Sequence, residues 1–149
     1  MGSTRIGAFP GGTARAARQG MDRPELETRS AAFATNVFAL CQAVRPCPGG
    51  RNPADQLVDA APSVGANYRA TSRARSRKEF VAKIGVVAEE ADETVYWLEF
   101  LLSTELGDRA TVEGLLSEAK ELRAIFAASY KTARHGRGQI NRSPDRPDQ

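Results

Sequence analysis

Apolar residues recur three and four positions apart in four separate blocks of the chain, a spacing that collects them on one face of a helix and not of a strand. The first block carries Phe33, Val37, Leu40 and Val44, with Ala34, Phe38 and Cys41 flanking the same side. It must stop at Pro46-Cys47-Pro48-Gly49-Gly50, because proline has no amide proton to donate and the glycines release the backbone. The second opens at Asn52-Pro53, a capping side chain followed by proline at the first helical position, where its missing N–H costs nothing. It continues through Leu57, Ala61, Val64 and Tyr68, with Val58 and Gly65 beside them. Pro62 lies inside this pattern and predicts a kink between Asp59 and Val64. Gly65 is either a weak spot in helix propensity or a flat site for a neighbouring helix; the small residues Ala60, Ala61, Ser63 and Ala66 around it favour close packing.

The third block starts at Ser76-Arg77-Lys78-Glu79, a capping box in which Ser76 and Glu79 can satisfy each other's backbone donors. Its stripe is Phe80, Ile84, Val87, Ala91, Val95, Leu98 and Leu102, with Trp97, Phe100 and Leu101 outside it. Gly107 ends this longest helix near Glu105, and Asp108 is the next cap. The fourth block runs through Val112, Leu115, Ala119, Leu122, Phe126 and Ser129 to Gly136. Four long helices with short connections predict an all-α, antiparallel up-down-up-down four-helix bundle. The bundle is expected over residues 25–134, with disordered tails at 1–24 and 135–149, where almost nothing can be buried. A third helix that is apolar on more than one face must cover the second face, and a subunit contact is the simplest way.

Charge changes the picture only once its distribution is known. The formal net charge is +3, but residues 1–24 and 134–149 together hold eight arginines and three aspartates, while residues 25–133 hold 13 basic and 15 acidic side chains. The bundle is therefore slightly acidic and the excess of base belongs to the ends. No run of apolar residues is long enough to span a membrane, and the N-terminus lacks the continuous apolar stretch of a signal peptide. A cytoplasmic protein with no membrane partner is expected.

The search for chemistry gives little. Glu89, Glu90, Asp92 and Glu93 invite a di-iron reading, but such bundles need a Glu-x-x-His motif from each of two helices, and His135 is the sole histidine. The bland reading is a solvated or ion-paired face, with one acid tied to an arginine across the bundle. Cys41 and Cys47 are too few for a zinc site and read as reduced structural residues. No nucleophile has a base within sequence reach, and no glycine-rich phosphate loop is present. No enzymatic activity, metal or cofactor is expected. One feature stands out: Arg69, Arg73, Arg75, Arg77, Lys78 and Lys83 fall within 15 positions that contain one acid, Glu79. Such a cluster can neutralise phosphates. It can equally be a solvated turn whose arginines pair with acids.

Three stretches carry a resemblance. Ser63-Val-Gly-Ala-Asn67-Tyr68-Arg69-Ala, then Ala74-Arg75-Ser76-Arg77-Lys78-Glu79-Phe80 with Lys83-Ile84, then Glu90-Ala-Asp92-Glu93-Thr94-Val-Tyr96-Trp97-Leu98-Glu99 resemble the bacterial four-helix-bundle family that includes 23S rRNA-intervening sequence proteins. The likeness covers about residues 26–134. It implies a ring-shaped homopentamer without enzymatic activity. A related group serves as accessory proteins of diversity-generating retroelements, in which a basic pentamer engages a reverse transcriptase and nucleic acid. Asn67, Tyr68 and Arg69 match the family's second-helix motif, and Asp92, Glu93, Tyr96 and Trp97 its third. Pro62 departs from the pattern, and the bundle is less basic than the accessory proteins.

Two functions remain open at this stage. One is an oligomeric module that binds RNA or DNA through the basic cluster, with Gly65, Asn67, Tyr68, Trp97 and Phe100 at the subunit interface. The other is a protein-protein scaffold, or a reverse transcriptase accessory, without nucleic-acid contacts of its own.

Overall fold

The computed structural model describes residues 20–136. They form four helices, α1 (Arg23–Val44), α2 (Arg51–Thr71), α3 (Arg77–Ser103) and α4 (Arg109–His135), each packed on the next, with α4 returning beside α1. The connections are short, so consecutive helices run antiparallel and the all-α up-down-up-down bundle stands as expected. The termini of residues 1–19 and 137–149, for which disorder was expected, lie outside the described residues.

Where each helix begins follows from which side chain can reach its free amide protons. At α1 the Asp22 carboxylate accepts from the Glu25 amide at 2.9 Å, and the Asp22 amide donates back to Glu25 Oε2 at 3.1 Å. This reciprocal box starts the helix two residues before position 25. At α3 only half of the predicted box forms. Ser76 Oγ accepts from the Glu79 amide at 3.1 Å, but the Glu79 carboxylate takes the Arg75 amide at 2.9 Å instead of that of Ser76. At α4 Asp108 caps as expected, accepting from the amide and hydroxyl of Thr111 at 3.0 and 2.8 Å. Those bonds favour its ionised form and hold the carboxyl below its usual range. Gly107 before it has φ +83°, and a Cβ there would press on Leu40 and Val44.

Helix α2 corrects one expectation. It begins at Arg51 behind Gly50, without a side-chain cap, and not at Asn52. Gly50 is buried against the Val44 carbonyl, and the Cys47 amide bonds back to Val44 O at 3.0 Å. The compact turn, and not a side chain, therefore sets the start. Pro62 sits within one unbroken helix and faces solvent, where the bond it cannot donate is on the wet side.

The core collects Phe33, Val37, Leu57, Val64, Ile84, Leu98 and Phe126, among others, at 2% exposure or less. Leu101 joins it at 0% exposure although the sequence pattern put it outside the stripe, and Leu102 is only half-buried. Phe38, assigned to the buried side of α1, is 51% exposed. Gly65 faces Ser30 of α1, where a Cβ would make an ordinary contact with Ser30 Cβ at 3.4 Å, so the approach of the two helices does not require glycine. Burial pushes the Cys41 thiol up to about 11, with a smaller push from Asp55, so it behaves as a small apolar residue of the core.

Candidate nucleic-acid interface

In an antiparallel bundle the N-termini of α1 and α3 share one end with the C-termini of α2 and α4. The basic cluster lies at that end, because α2 stops at Thr71 and α3 starts at Arg77. Arg69 occupies the last turn of α2, where a cation favours the helix dipole, and Arg73 and Arg75 lie in the connection. The helix does not continue, so Arg69, Arg73 and Arg77 do not stack on one face as a continuous helix would place them.

The six cations have different partners. Arg77 donates from its guanidinium to Ala133 O at 2.9 Å, satisfying a free carbonyl in the last turn of α4. Glu79 holds Arg75 at 3.6 Å and Lys83 at 3.8 Å. Arg69, Arg73 and Lys78 are exposed and make no ion pair among the described residues. Half of the cluster thus follows the bland reading, and three cations remain available to an anion.

The asymmetry extends beyond the cluster. Residues 22–33, 61–90 and 122–136, the half that includes this end, carry 11 basic and six acidic side chains. Residues 34–60 and 91–121, the other half, carry four basic and 10 acidic ones. A nearly neutral bundle therefore has one basic end and one acidic end, which whole-domain charge conceals. Helix α2 carries no acid after Asp59 and α4 none after Glu121, and both finish at the basic end. Lys131 and Arg134 are the residues the sequence reading missed; the signal was the acid-free stretch of α4, which means little until α4 is known to end beside the α2–α3 connection.

The proposed interface residues divide as well. Gly65 faces α1 within the same chain. Tyr68 lies between the Phe126 ring, 5.1 Å away, and the Arg23 guanidinium, 4.6 Å from its centroid. Arg23 also donates to the Tyr68 carbonyl at 3.3 Å and to Thr71 Oγ1 at 2.6 Å. Burial raises the Tyr68 phenol, with Arg23 opposing. Asn67 donates its amide to Ser63 O at 2.8 Å. These three side chains meet their neighbours inside one subunit. Trp97 and Phe100 are different: they remain half-buried on α3, edge to face at 5.6 Å, and Tyr96 extends the strip at 5.0 Å from Trp97 while 57% exposed.

The acids of α3 behave as a solvated face with one cross-link. Asp92 pairs with Arg123 of α4 at 3.0 Å. Glu90 is raised, first by burial and then by Glu93, Glu89 and Asp59. Among the described residues no three acids, cysteines or histidines gather closely enough to hold a metal ion. A notch of 170 Å³ between Leu101, Leu106, Gly107 and Val112 is well below the ~300 Å³ at which small-molecule sites begin. No described helix is long and apolar enough to cross a membrane.

Fold and surface together define a small all-α four-helix bundle with one basic and one acidic end. The chain belongs to the 23S rRNA-intervening sequence protein family, whose model matches residues 25–128. Among solved structures it is similar to a protein of unknown function from the S23 ribosomal protein family of Bacteroides thetaiotaomicron. The two share 29% sequence identity with a TM-score of 0.66, over 72% of this chain and 99% of that one. No functionally curated protein matches the chain.

Proposed function

We propose that this protein is a non-enzymatic, self-associating four-helix bundle that binds RNA or DNA through its basic end. The observation that carries the reading is the segregation of charge. Unpaired Arg69, Arg73 and Lys78 lie at an end where base outnumbers acid. A phosphate backbone meeting that end gains electrostatic attraction and releases counterions, while the acidic half is repelled. The strip of exposed Tyr96 and half-buried Trp97 and Phe100 supports self-association. Large aromatic side chains left at a surface are the usual anchors of a subunit contact, and the resemblance to the family is the ground for reading that assembly as a pentamer.

The same strip favours a second reading, in which it docks another protein, such as a reverse transcriptase, and nucleic acid is not touched. The two separate in one titration. Fluorescence anisotropy of a labelled RNA with the full chain should show binding that falls steeply between low and physiological salt, and Arg69→Glu with Arg73→Glu should weaken it at every salt concentration. Both residues are exposed and unpaired, so the fold should survive. Unchanged affinity in the double variant would remove this end from the account, and absence of binding at low salt would leave the scaffold.

A further inference from the structure

The basic end carries more than the α2–α3 connection, and what it lacks is as informative as what it holds. The hydrogen bond from Arg77 to Ala133 O fixes the last turn of α4 beside the start of α3. That puts Lys131 and Arg134, in the last two turns of α4, at the same end of the bundle as Arg73 and Lys78. Lys131 and Arg134 are exposed and make no ion pair among the described residues. The basic surface is therefore the end face of the bundle, spread over two helix C-termini and the connection between α2 and α3.

A protein that reads single strands usually presents aromatic rings on which bases stack. Among the described residues no ring at this end is fully exposed. Tyr68 is half-buried between Arg23 and Phe126, Phe80 is half-buried against the core, and half-buried Tyr130 lies against Gly85 with the Arg134 guanidinium 5.4 Å from its centroid. The aromatic residues that are exposed, Phe38 and Tyr96, belong to the acidic half. Among the described residues between Asp59 and Glu79 the one side-chain amide, Asn67, is bonded to its own helix, and the Glu79 carboxylate is taken up by the Arg75 amide and by the Arg75 and Lys83 side chains.

Resting on the nucleic-acid reading, we infer that this end face binds the phosphate backbone of a duplex, with Lys131 and Arg134 as further contacts, and does not read or stack on bases. A duplex offers about one charge per 1.7 Å of axis, twice the density of either strand, and hides its bases, for which this surface offers no open aromatic ring. The surface should accept any sequence, because phosphates carry none.

The test titrates the full chain into a labelled RNA duplex, into each of its separate strands, and into a second duplex of unrelated sequence, at several salt concentrations. The expected result is tighter binding to duplex than to strand and equal binding to the two duplexes. Lys131→Gln with Arg134→Gln should lower the slope of log affinity against log salt by ~1.8, two contacts at ~0.9 each. A preference for single strands, discrimination between the duplexes, or an unchanged slope in the double variant overturns the inference while leaving nucleic-acid binding in place. Failure of every probe to bind at low salt removes the underlying reading as well.

Discussion

Individual residues in this bundle are best understood by what surrounds them, and Glu90 illustrates how far that departs from the linear pattern. It lies half-buried on α3 with Glu93 and Glu89 on its own helix and Asp59 on α2, and its carboxyl is raised, chiefly by burial. An acid whose folded pKa exceeds its unfolded value penalises the folded state wherever it is ionised, and the penalty disappears once pH falls below both values. Glu90→Gln should therefore raise the thermal midpoint at pH 7, and the difference from the parent should vanish near pH ~3, where carboxyls are protonated. A midpoint difference that persisted at low pH would assign the effect to packing instead. Residue roles were the least legible part of the sequence. Arg77 reads there as one more cation of a cluster, yet its guanidinium is committed to the Ala133 carbonyl 56 positions away. Tyr68 adjoins the cluster in sequence, but it is half-buried between Arg23 and Phe126 from two other helices. Long-range partners of this kind leave no local trace.

Helices were far more legible, because each depends on spacing and punctuation within a few turns. Asp108 and Gly136 were readable as ends, and the stripes of α1 and α4 are buried nearly as written, with Phe38 the exception. The errors fall where a partner helix decides. Leu101 is fully buried in the core while Leu102 packs half-buried at its edge, since the side buried on α3 depends on how α2 and α4 embrace it. The closure of α1 against α4 is another property of the pair. It is the least extensive contact between neighbouring helices, and Arg29 bridges it, with Nε and a terminal nitrogen on Glu118 at 2.6 and 2.7 Å and a further bond to Glu121. These carboxylates raise the Arg29 guanidinium further above its already high value. The fork is two-thirds or more shielded on each side of the Glu118 pair, at 24% and 16% side-chain exposure. Arg29→Ala should cost about 1–2 kcal/mol, between the values of exposed and fully buried pairs. The exposed Arg109–Glu113 pair, at 65% and 53%, should cost under ~0.5 kcal/mol when Arg109 is replaced by alanine. Urea midpoints at constant slope would measure both, and equal losses would contradict the assignment of the seam to Arg29.

At the scale of the whole molecule the decisive property is the separation of charge, which needs both the sequence and the topology to be seen. The chain order alternates basic and acidic stretches; folding four helices antiparallel places the basic stretches at one end and the acidic ones at the other. The candidate site was half legible for that reason: the α2–α3 cluster is contiguous in sequence, whereas its extension onto α4 is not. Residues 1–19 contain Arg5, Arg15 and Arg18, and residues 137–149 contain Arg137, Arg142 and Arg146. These segments join the bundle at its basic end and could hold a polyanion without help from the folded surface, so the central claim is tested most directly by removing their charge. In the full chain, those six arginines are replaced by glutamine and the salt dependence of duplex RNA binding is measured with Arg69 and Arg73 intact and then replaced by glutamate. The account predicts that the six-fold variant still binds with a steep salt slope and that the added Arg69→Glu and Arg73→Glu substitutions abolish it. Loss of all binding in the six-fold variant alone would place the interaction in the termini and contradict a nucleic-acid interface on the bundle.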